Sequence, residues 1–336
     1  MTVSICMIVK NEEQVLKRCL DSCADLADEI IIVDTGSTDA TKQIAAAYTD
    51  KIYDFEWIGD FSAARNYAFS LCSMDYIYSV DADEVLDEEN RERFRVLKEN
   101  LLPEIEIVQM KYGNQLENGT VYNFDEEYRP KLFKRLRTFT WIEPVHETVR
   151  IDPVVFDSDI VIQHRPVSVH SGRDIDIFRS VLSKGEKMSQ RLWEMFAKEL
   201  FISGSDEEIL ASEKYFREYE EEPMDADMHK VVCSVLCKAA RIAKDTDSFF
   251  KYGVKILAGG EGCSEICYEM GLWYENKEDL QEALIWYYNA AFETSPIISF
   301  KTGGSEPLDR MIAIYEKVGD TDQTEKYRRI RNDLGE

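Results

Sequence analysis

Three carboxylates stand directly behind two apolar runs, where they could hold a metal-bound diphosphate. Ile30-Ile31-Ile32-Val33 ends in Asp34, and Tyr76-Ile77-Tyr78-Ser79-Val80 ends in Asp81-Ala82-Asp83. A third run, Val3-Ser4-Ile5-Cys6-Met7-Ile8-Val9, ends in Lys10, Asn11, Glu12 and Glu13. Carboxylates alone repel phosphate, so a hard divalent cation is the expected bridge. Carboxylate oxygens bind Mg2+ or Mn2+, and the ion then clamps diphosphate oxygens. Phosphate-cradling glycine loops are missing: no Gly-x-Gly-x-x-Gly follows a strand, and Gly-x-x-x-x-Gly-Lys does not occur. A lone Asp-x-Asp is a common polar turn. Here it gains meaning from following a buried strand, with Asp34 at the end of an earlier one.

The elements that must position these groups read as alternating strands and helices. The three runs are nearly continuous in apolar residues, as strands buried on both faces of a parallel sheet must be. Ligands of open α/β sheets bind outside the carboxyl ends of the strands. Glu13, Leu16, Leu20 and Cys23 recur at helical spacing, and Ser37, Thr38 and Asp39 are plausible caps for a helix after Asp34. Residues 61–71 and the segment from Asp87 also read as helices. After Pro103, strands are expected at 106–111, 120–124, 131–133 and 161–163, giving a parallel core with an antiparallel addition.

Beyond Pro166 the pattern becomes helical. Cys267, Met270, Gly271, Tyr274, Ala283, Tyr287 and Ala290, with Pro296 closing, follow the large and small positions of a tetratricopeptide repeat. Weaker matches fall at 311–327 and 192–223. Such repeats need neighbours, so at least three helix pairs are expected. They serve either as a concave partner-binding surface or as a buttress that stabilises the first domain or a homodimer. The expected division is an α/β domain over 1–170, a connecting helix or linker over 171–190 and a helical repeat domain over 191–336.

A formal net charge of -25 argues against a nucleic-acid or membrane-surface binder. No apolar stretch is long enough to span a membrane, and Met1-Thr2-Val3-Ser4 runs directly into a strand. Six of the eight cysteines form pairs spaced by four, Cys19/Cys23, Cys233/Cys237 and Cys263/Cys267. Without Cys-x-x-Cys or a nearby histidine pattern, these read as small buried residues on helices. Reduced cysteines fit a cytoplasmic protein.

The stretches Ser4–Glu13, Glu29–Asp39, Phe61-Ser62-Ala63-Ala64-Arg65-Asn66 and Val80-Asp81-Ala82-Asp83-Glu84 resemble the family 2 inverting glycosyltransferases of GT-A fold. Arg129–Arg135 and Trp141-Ile142-Glu143-Pro144-Val145-His146-Glu147 are similar to a bacterial subgroup. It contains lipopolysaccharide-core glucosyltransferases and peptide S-glycosyltransferases. Fusion to tetratricopeptide-like repeats fits that subgroup.

The resemblance implies roles. Asp34 would hydrogen-bond the uracil or ribose, while Val9, Asn11 and Glu12 would frame the base. Arg65 would sit near the diphosphate, supported by Asn66. Asp81 would lie near the ribose and metal, Asp83 would ligate the metal, and His164 would complete the metal or diphosphate site. Glu147 occupies the place of the catalytic carboxylate, with His146 as the alternative base. Neighbours on a strand face opposite ways, so only one of the two should face the sugar. The basic run Arg129, Lys131, Lys134, Arg135 and Arg137 is expected to line the diphosphate or acceptor cleft, with Arg135 among the donor-binding groups.

The expected protein is a metal-dependent hexosyltransferase that uses Mn2+ or Mg2+. Its donor is a UDP-sugar, with glucose or N-acetylglucosamine leading. The acceptor is a peptide, a protein or a glycan. The competing readings are a nucleotidyltransferase, whose glycine-rich basic loop is not present after the first strand, and a repeat scaffold with a degenerate transferase half.

Overall fold

The computed structural model describes residues 1–113, 127–149, 153–166, 173–260 and 262–334. The expected strand at 120–124 lies outside them. The chain divides into two compact units, Met1–His170 and Ser171–Glu336.

The first unit contains, in order, β1 (Val3–Val9), α1 (Leu16–Cys23), β2 (Glu29–Asp34), α2 (Thr41–Ala45), β3 (Ile52–Asp54), α3 (Phe61–Leu71), β4 (Tyr76–Ser79), β5 (Glu84–Val85), α4 (Glu88–Asn100), β6 (Ile107–Gly113), β7 (Glu127–Lys134), β8 (Trp141–Ile142), β9 (Thr148–Val149) and β10 (Val155–His164). Eight strands form one sheet in the order β3-β2-β1-β4-β7-β6-β10-β5, and β8 pairs with β9 separately. β1 runs parallel to both β2 and β4, and β2 runs parallel to β3. β7 enters antiparallel between β4 and β6, while β10 is parallel to β6. The antiparallel addition is therefore a strand inserted beside the parallel core.

Alternation in β1 explains why its run is apolar at every position but Ser4. Val3, Ile5, Met7 and Val9 pack with Leu16, Leu20 and Phe94 on the α1 and α4 side. Cys6 packs with Ile31, Val33, Ala68 and Phe69 on the α3 side. Both faces are covered, and the one polar residue within the strand, Ser4, is buried with its hydroxyl donated to Glu29. Asp60 caps α3 by accepting from Ala63 N, and Asp87 caps α4 by accepting from Asn90 N.

The second unit is all helical: α5 (Arg173–Ser183), α6 (Gln190–Ile202), α7 (Asp206–Tyr219), α8 (Ala226–Ala243), α9 (Thr246–Leu257), α10 (Ser264–Asn276), α11 (Leu280–Tyr288), α12 (Ser305–Val318) and α13 (Thr321–Asp333). Helices α6 to α13 form four successive pairs, one more than the sequence pattern locates, since α8 and α9 carry no recognised repeat. α5 lies within the expected connecting segment as a helix: it buries Ile175, Ile177, Phe178 and Val181, and Phe178 stacks on Phe196 of α6 at 4.9 Å.

The repeat logic is visible at Gly271. A Cβ there would lie 2.4 Å from the Tyr287 ring, so only glycine lets α10 and α11 approach this closely. Tyr287 in turn donates its hydroxyl to Glu275 at 2.6 Å. All eight cysteines are buried and reduced. No helix among the described residues is long and apolar enough to cross a membrane.

Candidate active site

The ends of β1 and β2 are laced together by their loops. Asn11 takes a left-handed backbone, φ 56°, and its N–H donates to Ser37 Oγ at 2.9 Å. Asn11 Oδ1 accepts from Thr38 N at 2.8 Å, and Glu12 N donates to Thr41 Oγ1 at 2.7 Å. The Val9 carbonyl accepts from Thr35 N. Ser37 and Thr38, read as caps, thus serve to tie the β1 loop down. Asp34 is fully buried at this junction. Its Oδ1 accepts from Gly36 N at 2.9 Å and Ser37 N at 2.8 Å, while Oδ2 is buried without a hydrogen-bond partner. Gly36, at φ +103°, makes the turn that aims both N–H groups at Oδ1.

Arg65 stands at the centre of the next cluster. From α3 it donates Nε to Glu147 Oε1, Nη1 to Ser79 Oγ at 3.0 Å and Nη2 to Asp81 Oδ1 at 3.0 Å. The guanidinium also lies over the Trp141 ring, 5.2 Å from its centroid. Burial disfavours the cation, but Asp81 and Glu147 outweigh it and raise the Arg65 pKa. Three of the five guanidinium N–H groups of Arg65 are thus held by protein carboxylates and a hydroxyl. Arg65 couples the end of β4 to the 143–147 loop.

Asp81 has a second cation. Lys131, reaching across from β7, lies 3.4 Å from Asp81 Oδ2 and donates to Glu84 Oε1. Burial pushes the Asp81 carboxyl up, but Lys131 and Arg65 override it and hold it well below the usual range. Glu84 is almost wholly buried. Burial, with help from Asp81, pushes it up to about 7 even though Lys131 opposes the rise. In sequence, Glu84 carried no role and Lys131 stood only within the basic run, without its carboxylate partners. The available signal was Glu84 directly after Asp83, and a lysine two positions before the buried Phe133 on β7.

Asp83 and His164 converge from β4 and β10. His164 Nε2 lies 2.9 Å from Asp83 Oδ2, and both side chains are about a quarter exposed. Antiparallel pairing of β10 with β5 sets this contact, because His164 registers opposite Glu84. Asp81, by contrast, has both oxygens engaged by cations.

The loop carrying His146 and Glu147 is clamped by α3. Phe61 N donates to Pro144 O at 2.8 Å, and Ser62 Oγ donates to Glu143 O at 2.7 Å. Asn66 pins both backbone groups of Trp141, Nδ2 donating to O at 3.0 Å and Oδ1 accepting from N at 2.8 Å. Asn66 therefore anchors β8, whose Trp141 ring lies against the Arg65 guanidinium. Residues 143–147 lie between β8 and β9, not within a strand, and His146 has φ 50°. Strand alternation consequently cannot choose between His146 and Glu147.

The basic run is divided by strand direction. β7 runs opposite to β4, so Leu132 pairs with Tyr78 and Lys134 with Tyr76. Lys131 thus reaches the carboxyl end of β4, while Arg135 lies at its other end. There Arg135 N donates to Asp75 O at 2.9 Å and Nε to Met74 O at 2.6 Å. Arg135 is removed from the donor-binding set.

Residues 4–148 match the sequence model of glycosyl transferase family 2. The chain is 49% identical over 84 residues to a TPR repeat-containing protein of Synechococcus elongatus, covering 25% of this chain and 21% of that protein. It is 38% identical over 92 residues to the SPbeta prophage-derived glycosyltransferase SunS of Bacillus subtilis, covering 27% of this chain and 22% of that one. The chain thus spans about a fifth of the length of either relative. Among solved structures, it aligns with glucosyl-3-phosphoglycerate synthase from Mycobacterium tuberculosis, in complex with Mn2+ and UDP-glucose, at a TM-score of 0.40 and 16% identity. That alignment covers 56% of this chain and 81% of that one.

Proposed function

We propose that the protein is an inverting hexosyltransferase that takes a UDP-sugar donor, glucose or N-acetylglucosamine, to a peptide, protein or saccharide acceptor, a reading supported by the match of residues 4–148 to the glycosyl transferase family 2 model. The observation that carries the donor reading is Asp34. Its carboxylate is fixed by two backbone N–H groups through one oxygen, while the other is buried and unpaired. Leaving such an acceptor unmet costs about 1–3 kcal/mol. An imide N–H of a uracil ring supplies the missing donor, with the backbone of Val9 and Asn11 framing the base.

Asp83 and His164 fit a divalent ion. They offer a carboxylate oxygen and an imidazole nitrogen that already converge and remain open to solvent. We assign them Mn2+ or Mg2+; when bound, the ion supplies charge neutralisation for the diphosphate leaving group. Asp81 is assigned to orienting the donor rather than to ligation, since Arg65 and Lys131 occupy its oxygens. Glu147 is assigned as general base, accepting the acceptor's proton as its oxygen or sulfur attacks the anomeric carbon. The bond from that carbon to the diphosphate oxygen breaks, the electron pair leaves with UDP, and configuration inverts. Arg65 sets the position of Glu147 and links it to Asp81. His146 is the competing base on the same loop.

The test is donor hydrolysis by purified protein against UDP-, GDP- and dTDP-sugars, with and without Mn2+, reading nucleoside diphosphate release. Mn2+-dependent release from one UDP-sugar supports the reading. Silence across the panel, joined to Mn2+-independent or absent UDP binding by calorimetry, overturns it.

A further inference from the structure

The first two helix pairs of the repeat unit meet at a joint that gathers three metal-competent side chains. Glu220 follows the last residue of α7. His229 and Cys233 lie four residues apart at the start of α8, a spacing that puts both on one helix face. His229 Nε2 is 3.6 Å from Cys233 Sγ. With a Glu220 carboxylate oxygen, the three donor atoms all lie within 4.8 Å of one another. Cys233 is fully buried, and the Glu220 side chain is only 6% exposed. Imidazole nitrogen, sulfur and carboxylate oxygen together form a donor set for borderline ions such as zinc, whereas Mg2+ and Mn2+ prefer oxygen.

We propose that Glu220, His229 and Cys233 form a second metal site, for a zinc-class divalent ion, with water as the fourth ligand. This site is independent of the glycosyltransferase reading and uses none of its residues. The ion would tie the end of α7 to the start of α8.

Two cations from α9 face the site. Lys255 pairs with Glu220, and Lys251 also acts on Cys233. The Lys255 ammonium is the cation that Glu220 holds in the metal-free protein. Its side chain is 43% exposed, so it can turn to solvent when a divalent ion takes its place. Burial, then Lys255, holds His229 below its usual pKa, which keeps the imidazole neutral and available. Burial pushes the Cys233 thiol up to about 11, so the ion must displace its proton, as thiolate ligation requires.

Co2+ titration of the reduced, metal-stripped full chain tests this proposal. Stoichiometric Co2+ should give a sulfur-to-cobalt charge-transfer band and strong tetrahedral ligand-field bands. Zn2+ should bleach both, and Mg2+ should not. Cys233→Ser should abolish the charge-transfer band, and His229→Ala should weaken Co2+ binding by at least about 10-fold. Lys255→Met, which removes the competing ammonium, should tighten binding several-fold. Asp83→Ala should leave the band intact. Absence of the band in the wild type, or its survival in Cys233→Ser, overturns the proposal. Should Cys233→Ser not fold, unchanged or weaker Co2+ binding by Lys255→Met overturns it instead.

Discussion

Replacing Lys131 with methionine removes the ammonium that faces both Asp81 and Glu84 while keeping the stem's apolar volume. The cost should depend on pH, because Glu84 can escape as a neutral acid. Its folded pKa is about 7 against an ordinary 4.5, so the folded state binds a proton that the unfolded state has lost. Stability therefore falls as pH rises from 4.5 to 7 and levels off above, where wild-type Glu84 is ionised in both states. In Lys131→Met the lowering influence of Lys131 is gone, so the folded pKa moves higher and the decline continues. At about pH 6, Glu84 is mostly neutral in either protein, and the loss is roughly that of one hydrogen bond to a charged group, about 1–2 kcal/mol. Each further unit above about pH 7 adds about 1.4 kcal/mol. By about pH 9 the gap is about 4–5 kcal/mol, the scale expected for breaking a buried ion pair. The assay is hydrogen exchange at the amides of β4 and β7, read by mass spectrometry across that range, for wild type, Lys131→Met and Glu84→Gln/Lys131→Met. The double variant should lose the pH-dependent part. Parallel wild-type and Lys131→Met profiles would refute the claim that Glu84 carries a raised pKa.

Glu147→Gln should retain UDP binding by calorimetry while transfer falls by about 10²–10⁴-fold; if His146→Ala alone abolishes transfer, the two base candidates exchange places. Asp34→Asn keeps an oxygen for Gly36 and Ser37 but turns an amide N–H toward the base. UDP affinity should drop by about 10–100-fold, and unchanged affinity would remove Asp34 from the nucleobase site. Arg65→Lys cannot bridge Asp81, Ser79 and Glu147 at once. Its kcat should fall more than its KM rises, and a change confined to KM would return Arg65 to direct diphosphate binding. Gly271→Ala drives a methyl into the Tyr287 ring and should cost about 1–3 kcal/mol, seen as a lower urea midpoint for the helical unit.

What the sequence by itself determined is the parallel core and the location of its chemistry. β1, β2 and β4 are buried on both faces, so their runs are nearly continuous in apolar residues until they end. The carboxylates that follow, Asp34, Asp81 and Asp83, then mark the strands' carboxyl ends without any knowledge of neighbours. Gly271 and the positions around it were legible for a similar reason: close helix approach forces a small residue at one place, whatever surrounds it.

The tertiary structure alone decided who pairs with whom. Arg65 is 16 places from Asp81 and 82 from Glu147, and neither its charge nor its motif shows that it holds both; only the packing of α3 against the 143–147 loop brings them together.

 The direction of β7 is likewise invisible in its own residues. It puts Lys131 beside Asp81 and carries Arg135 to the opposite end of β4. Asn66 read as a support for Arg65 because of its place in the motif, and in the fold both ends of its amide are held by the backbone of Trp141 in β8. Glu147 and His146 read as strand neighbours, yet they sit in a loop fixed by Phe61 and Ser62 from another element. Cys233 read as a pair with Cys237, which passed over His229 four residues before it; Glu220 joins His229 and Cys233 only through the packing of α7 on α8. Burial periodicity is a local property and is written along the chain. Ion pairs between elements depend on strand order, strand direction and loop closure, which no single segment encodes.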